Sequence, residues 1–193
     1  MKRRYAPLLA AALVSALSLG SVLAQDAGTP APDVSTDLFD PAVAEATPIS
    51  GLETFTVDSA DHTEDAVEYA QDPPAGGPHA PAWQKCAAYD APIRNENAVH
   101  SQEHGAVWIT YQPDLPEAEV EALNKLADTR YVLVSPYPDL EDPIVASAWG
   151  AQLRLDAADD PRLGEFITRY AGNGPEPGAN CDSGIETTLE DAG

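Results

Sequence analysis

One stretch joins a polar, histidine-bearing segment to a strand-like run: His100-Ser101-Gln102-Glu103-His104-Gly105-Ala106-Val107-Trp108-Ile109-Thr110-Tyr111. Its second half is rich in β-branched and aromatic residues, which predicts a β-strand from about residue 106 to residue 111. Its first half holds two of the four histidines in the chain. Because imidazole is the commonest metal-ligating side chain, the stretch also predicts a chemical site beside that strand.

The residues that follow this strand predict an amphipathic helix. Asp114 stands three residues before Glu117, a capping-box spacing, and Pro116 lies in the first turn. Apolar residues then recur at helical spacing, at Val120, Leu123, Leu126 and Ala127. The pattern predicts a helix over about 116–128.

Two further strands and a second helix are predicted beyond residue 130. Residues 131–134 form a short apolar run, and residues 144–155 predict either one interrupted strand or a hairpin about Gly150. Asp160-Pro161 begins a second helix, whose apolar residues follow i, i+3, i+4, i+7 spacing. They are Leu163, Phe166, Ile167 and Tyr170.

The resulting order, β-α-β-β-α after a loop-rich N-terminal half, predicts an α+β fold. A helical crossover makes the first two strands parallel, and the third strand joins the same small mixed β-sheet, with two helices packed against it. Upstream, residues 49–57 and 66–69 give weaker strand patterns. Residues 72–97 are interrupted by prolines and glycines, yet their aromatic residues and cysteine indicate an ordered loop.

The first 24 residues have the pattern of a secretory signal peptide. Lys2-Arg3-Arg4 precedes an apolar segment, and Val22-Leu23-Ala24 resembles a cleavage site. An uncleaved membrane anchor is the alternative, because the segment is nearly long enough to span a bilayer. We therefore expect a secreted, periplasmic or cell-envelope protein. Residues 25–48 are expected to form a disordered linker, 49–182 a single globular domain and 183–193 a C-terminal tail.

The net charge is strongly negative. Removal of the three basic residues of the leader leaves 7 of the 10 basic residues against 32 acidic ones, a net charge of −25 with histidine neutral. Nucleic acids and anionic membrane surfaces are bound chiefly through Lys and Arg, so both are excluded as partners. Cations are attracted, and the sequence does not identify a protein partner.

Cys86 and Cys181 are the two cysteines of the chain. In an oxidising compartment they are expected to form one disulfide, although thiolate ligation of a metal is the alternative. On the chain-entropy model, so long a closed loop contributes about 4–5 kcal/mol of stability.

The histidines give the chain its candidate site. His100 and His104 are four residues apart, His79 follows a Pro-Gly segment, and His62 or Glu103 could complete the ligand set. These donors suit Cu(II) or Zn(II), whereas the single methionine, Met1, excludes a thioether-rich Cu(I) site. Sequence alone predicts no helix here, since Gly105 and a strand follow at once. The alternative is a non-enzymatic cell-envelope interaction module whose histidines are hydrogen-bonded scaffold.

His100 to His104 also satisfies H-x-x-E-H, the pattern of inverted zinc peptidases, and Glu176 could supply their later acidic ligand. That chemistry requires a helix, where the sequence predicts a turn leading into a strand. A zinc-dependent hydrolase is therefore a further alternative. The sequence does not supply a reaction, and it favours a binding protein over an enzyme.

Several stretches in this order resemble the bacterial domain-of-unknown-function 3105 family. They are Pro73 to His79, Trp83, Cys86, Tyr89-Asp90, Asn95 to Tyr111, Ser135-Pro136-Tyr137-Pro138, Ala148-Trp149-Gly150 and Pro175 to Cys181. Gln102 and Ala87 depart from the Leu and Gly expected there. The resemblance implies a secreted or membrane-anchored domain of no established activity, and it directs attention to the histidines as the site.

Overall fold

A computed structural model describes residues 48–176 and 178–191, which fold into five strands and three helices. In chain order these are β1 (Leu52–Thr54), α1 (Asn95–Glu103), β2 (Val107–Tyr111), α2 (Glu117–Leu126), β3 (Val132–Pro136), β4 (Ile144–Ala148), β5 (Ala151–Leu155) and α3 (Pro161–Tyr170). The predicted α+β class is confirmed. The predicted leader and nearly all of the predicted linker lie outside the described residues, and those boundaries stay predictions.

The strands form one mixed sheet in the order β1-β5-β4-β2-β3. Strands β2 and β3, joined through α2, are parallel, whereas the other three pairings are antiparallel. The predicted parallel crossover is therefore confirmed. Of the two alternatives for residues 144–155, the hairpin is the one observed, and Gly150 provides the positive φ of +72° that its tight turn requires.

One face of the sheet is apolar and is covered by α2 and α3. Alternate strand residues such as Val107, Ile109 and Leu153 join Leu123 of α2 and Phe166 of α3 in a single buried cluster. Successive side chains of a strand point to opposite faces, so this cluster takes every second residue of each central strand. Both predicted helices pack their predicted apolar residues against this cluster, although in α2 only Leu123 is fully buried.

The other face carries polar as well as apolar side chains. It holds a smaller cluster of Tyr89, Ile93, Ala98, Trp108 and Leu133. Two of the buried polar side chains on this face show how it is held: the Trp108 indole donates to Ser135 at 3.0 Å, and the Gln152 amide donates to the Pro73 carbonyl at 2.9 Å. The irregular chain before β2 lies on this face, and the candidate site is built there.

Three local predictions are wrong. Residues 95–103 form a helix, although none was predicted, because nearly every side chain in it is buried and no apolar stripe shows in the sequence. The capping box is not formed: α2 begins at Glu117 after Pro116, and no side chain caps it. Residues 66–69 do not form a strand; Val67 instead donates its amide to the buried Glu96 carboxylate at 2.9 Å.

Cys86 and Cys181 form the predicted disulfide, with Cα atoms 5.2 Å apart and a sequence separation of 95 positions. This bond supports an extracytoplasmic location, since the cytosol keeps thiols reduced. Within residues 48–176 and 178–191, no helix has the length and apolar character needed to cross a membrane.

Candidate metal centre

Helix α1 places three of the candidate residues around its C-terminal end. His100 and Glu103 lie in its last turn, and His104 is the residue that caps it. Gly105 then turns the chain directly into β2 with a φ of +97°. A Cβ atom at that position would lie 2.8 Å from the carbonyl carbon of Gly172, so only glycine permits so close an approach.

The Pro-Gly segment delivers His79 to the same place. Gly76 and Gly77 adopt φ values of +109° and +126°, a turn that other residues rarely make. His79 then pairs with the segment around His62 as an isolated parallel bridge. The His79 carbonyl accepts from the Thr63 amide at 2.7 Å, and its own amide donates to Asp61 at 3.0 Å. The bridge therefore holds His62 beside His79.

The C-terminal segment brings in the last acidic group. The Gly172 amide donates to the Gly105 carbonyl at 2.8 Å, and the Glu176 amide donates to the Glu103 carbonyl at 3.1 Å. These two backbone bonds fix residues 172–176 against the end of α1. The Glu176 carboxylate consequently lies within 3.2 Å of the His104 Nε2 atom.

Three of the imidazoles are oriented by backbone carbonyls. The Nδ1 contacts are His79 to Gly77 at 2.8 Å, His100 to Ala80 at 2.7 Å and His104 to Asn180 at 2.9 Å. A carbonyl oxygen can only accept a hydrogen bond, so each Nδ1 atom must carry the proton. In the neutral ring each Nε2 atom is then an unprotonated lone-pair donor. A backbone carbonyl on one ring nitrogen is also how metal-ligating histidines are commonly held.

Each of the three Nε2 atoms faces another imidazole nitrogen or a carboxylate. His100 Nε2 lies 3.0 Å from His104 Nε2, and His79 Nε2 lies 3.1 Å from the Glu103 Oε2 atom. Lone pairs at this separation repel each other unless a cation or a proton lies among them. Bonds of about 2.0–2.1 Å to nitrogen or oxygen place neighbouring ligand atoms about 2.8–3.4 Å apart. The observed separations match the edges of such a coordination polyhedron.

Burial keeps the central ring neutral. His79, His100 and His104 are buried, and His62 is the exposed imidazole of the cluster. Burial is the main cause that lowers the pKa of His100 to about 4, and the neighbouring imidazoles lower it further, against the opposing bond to Ala80. At neutral pH His100 is therefore in the unprotonated form that binds metals.

Two tryptophans flank the imidazoles. The Trp83 ring lies 4.8 Å from that of His104 and 5.6 Å from that of His100, and Trp149 lies edge-on to His79 at 5.9 Å. These apolar rings limit the access of water to the buried donors. Electrostatic interactions among the donors are strengthened as a result.

The candidate ligand atoms fall into two overlapping groups. The first contains His62, His79, His100 and Glu103, and the second contains His100, Glu103, His104 and Glu176. Within each group the ligand atoms lie within 4.8 Å of one another. All five residues that the sequence predicted as ligands are thus brought together, and their role as ligands stays a prediction.

Sequence reasoning missed the carbonyls that orient the rings. Gly77, Ala80 and Asn180 contribute backbone atoms, so no residue type signals them. Glu176 was named only for the peptidase alternative. The helix that H-x-x-E-H chemistry requires, which the sequence did not predict, is present.

Comparison with known protein families gives a match that covers most of the described chain. The family model of DUF3105, described as a protein of unknown function, matches residues 61–183. No curated protein and no solved structure matches the chain. The matched region spans more than half of the chain and includes every residue of both ligand groups and both cysteines. On this evidence the chain belongs to the DUF3105 family.

Proposed function

We propose that this protein is an extracytoplasmic metal-binding protein that holds Cu(II) or Zn(II) through its clustered histidines. One observation carries the proposal: three imidazoles donate Nδ1–H to backbone carbonyls, while the Nε2 atoms of His100 and His104 face each other and those of His79 and His104 face carboxylates. A scaffold of hydrogen-bonded histidines has no need to place His100 Nε2 and His104 Nε2 in contact. A transition-metal ion among these atoms accounts both for the carbonyls that fix each Nδ1–H and for the close approach of the Nε2 atoms.

The donor types select the class of metal. Imidazole nitrogen and carboxylate oxygen suit Cu(II) and Zn(II), whereas Cu(I) prefers sulfur ligands. Both cysteines are joined in the disulfide, and the single methionine is Met1, in the predicted leader. The site therefore offers no thiolate or thioether. The disulfide also supports an oxidising, extracytoplasmic compartment for the site.

Metal analysis of the full chain, purified without a histidine tag, tests the proposal. The wild type is expected to retain Cu(II) or Zn(II) after dialysis and to melt at a higher temperature when metal is added. His100→Ala removes a donor common to both groups, so it is expected to weaken binding by about 100-fold or more, the upper end of the loss seen when only a ligand's outer partner is removed. His104→Ala, which alters the second group alone, is expected to weaken it less.

The alternative, a cell-envelope interaction module, predicts that the protein does not respond to metal. Under it, the His→Ala variants lose thermal stability through lost hydrogen bonds, while added metal leaves the melting temperature of the wild type unchanged. If neither the wild type nor the variants bind Cu(II) or Zn(II) or change melting temperature when metal is added, metal binding is rejected and the interaction module is the better explanation.

The second candidate is a zinc-dependent hydrolase, and the helix under H-x-x-E-H is the observation that favours it. His100 and His104 would hold zinc with Glu176, and Glu103 would act on water. Metal binding needs only the donor atoms, whereas hydrolysis also needs a substrate cleft and a positioned water, so this candidate ranks second.

Hydrolysis of ester and peptide substrates by the zinc-loaded chain separates the two candidates. A hydrolase loses activity on Glu103→Gln while it retains zinc, as expected for a group that acts on water. Absence of hydrolysis by a wild type that holds zinc would eliminate the enzyme and retain the binding protein.

A further inference from the structure

The geometry points to a pair of divalent transition-metal ions in this site, bridged by the Glu103 carboxylate. The inference rests on the proposed metal-binding function and adds to it the stoichiometry and the bridging ligand. The two ligand groups share only His100 and Glu103. Each group has further donors of its own, which are His62 and His79 in the first and His104 and Glu176 in the second.

A single ion cannot use all six donors. His79 and His104 never occur in the same group, so their ligand atoms are too far apart for one ion with bonds of about 2.0–2.1 Å. A single ion would therefore occupy one group and leave the exclusive donors of the other group without it.

Either choice leaves an imidazole and a carboxylate facing each other without an ion between them. With one ion in the first group, His104 Nε2 still faces the Glu176 Oε2 atom at 3.2 Å. With one ion in the second group, His79 Nε2 still faces the Glu103 Oε2 atom at 3.1 Å. In both rings the Nδ1 proton is already donated to a carbonyl, so the Nε2 atom that faces the carboxylate carries either a second proton or a metal ion, and two donors at bonding separation are available to a second ion.

Of the two shared residues, only Glu103 can serve two ions. The Nδ1–H of His100 is bound to Ala80, which leaves one lone pair and hence one ion for its ring. A carboxylate has two oxygens and can give one to each ion. Ions in two-metal sites lie about 3.5–4 Å apart, which suits a pair linked through one carboxylate.

Each group also has its own connection to solvent. His62 is exposed in the first group and Glu176 in the second, whereas the other imidazoles are buried. Each ion can therefore exchange through its own exposed ligand without first displacing the other. Two separate exposed ligands would be redundant for a single buried ion.

Titration of the untagged full chain with Cu(II), followed by electron paramagnetic resonance, tests the inference. The wild type is expected to bind two equivalents, with an integrated signal well below two spins per chain, because neighbouring Cu(II) ions at bridging distance couple magnetically. This measurement needs no variant, so it does not depend on whether a mutant folds.

Glu176→Gln is the variant to compare, because its side chain is 57% exposed and its loss spares the buried core. It is expected to bind about one equivalent of copper with full spin intensity. Glu165→Gln, which removes the same charge from an exposed position on α3, serves as the control and should behave as wild type.

The outcomes distinguish the bridged pair of ions from metal binding in general. Saturation of the wild type at one equivalent, or at two equivalents with full uncoupled intensity, overturns the bridged pair and leaves metal binding intact. Retention of two coupled ions by Glu176→Gln overturns the assignment of the second group. Absence of bound copper overturns both proposals together.

Discussion

The two faces of the sheet are built on different principles. The face under α2 and α3 is closed by apolar side chains, and residues such as Ile109, Leu153 and Phe166 are fully buried in it. The opposite face is covered by irregular chain and is held by hydrogen bonds, a disulfide and the imidazole cluster. A helix can cover a sheet with one apolar stripe, whereas an irregular, proline-rich segment has no such stripe and is held by separate hydrogen bonds.

Prolines explain why the polar face needs donors from elsewhere. Pro73 and Pro74 have no backbone N–H, and their carbonyls still require partners when buried. The Gln152 amide of β5 donates to Pro73 at 2.9 Å, and the Gln102 amide of α1 donates to Pro74 at 3.0 Å. Two buried glutamines thereby attach the Pro-Gly segment to the sheet and to the helix that carries His100. The position of His79 depends on these bonds.

The largest effect expected on the polar face is that of the disulfide. Cys86→Ser combined with Cys181→Ser opens a loop closed across a sequence separation of 95 and is expected to lower the free energy of unfolding by about 4–5 kcal/mol. Copper binding should weaken too, because Cys181 is adjacent to Asn180, whose carbonyl orients His104. Urea unfolding of wild type and variant measures the change. Equal midpoints in the two proteins would show that hydrogen bonds alone hold this face.

A matched pair of leucines compares the two faces directly. Leu153 and Leu133 are both fully buried in the sheet and point to opposite faces. Each Leu→Ala change is expected to cost about 3–4 kcal/mol of stability. Only Leu133→Ala is expected to weaken copper binding, by several-fold, because Leu133 shares its cluster with Ala98 of the helix that carries His100.

Urea unfolding measures the stability of the two leucine variants, and copper titration measures their affinity for copper. An equal loss of copper affinity in both variants would mean that the site responds to overall stability rather than to the face on which it lies.

The same contrast explains how much of the fold can be predicted from the sequence. The strands and the two helices on the apolar face follow local apolar spacing, so the positions of Leu163, Phe166 and Ile167 along the chain are enough to indicate α3. Helix α1 has no such spacing. Its buried polar residues are matched to distant partners: Asn97 donates to Ala82 at 2.6 Å and Ser101 to Gln84 at 2.6 Å. Those partners are set by tertiary structure, which local patterns do not encode.

Part of the candidate site can likewise be predicted from the sequence, and part of it cannot. The scarcity of histidine in the chain is enough to nominate His79, His100 and His104 together. The partners that orient them are not accessible to such reasoning, since Asn180 lies 76 residues from His104 and acts through its backbone. Residue identity therefore predicts the donors, and only the fold predicts their geometry.

The metal-free protein is expected to lose stability in mild acid because of His100. Its pKa is about 4 in the folded state and near 6.5 when unfolded, so the unfolded chain binds the proton first as the pH falls. Stability is therefore complete above pH 6.5 and is lost between about 6.5 and 4, by roughly 3 kcal/mol for this group. Urea unfolding from pH 7 to pH 4 should show a shallower dependence in His100→Gln. Parallel curves for the two proteins would contradict the burial of a neutral ring.

The smallest effect concerns the polar attachment of the Pro-Gly segment. Gln152→Leu keeps the volume of the side chain but leaves the Pro73 carbonyl and the Ser147 hydroxyl without the donor that each has at 2.9 Å. A buried acceptor without a partner costs about 1–3 kcal/mol, so we expect a loss of about 2 kcal/mol. The loss should be accompanied by weaker copper binding, since His79 follows the released segment. Thr110→Val is the control, because it removes one buried hydroxyl bond of 3.0 Å on the same face without touching that segment. If both variants lose similar stability but only Gln152→Leu binds copper more weakly, the bonds to the Pro-Gly segment serve to position the imidazoles. If both variants bind copper more weakly, the site responds to any loss of hydrogen bonding on the polar face.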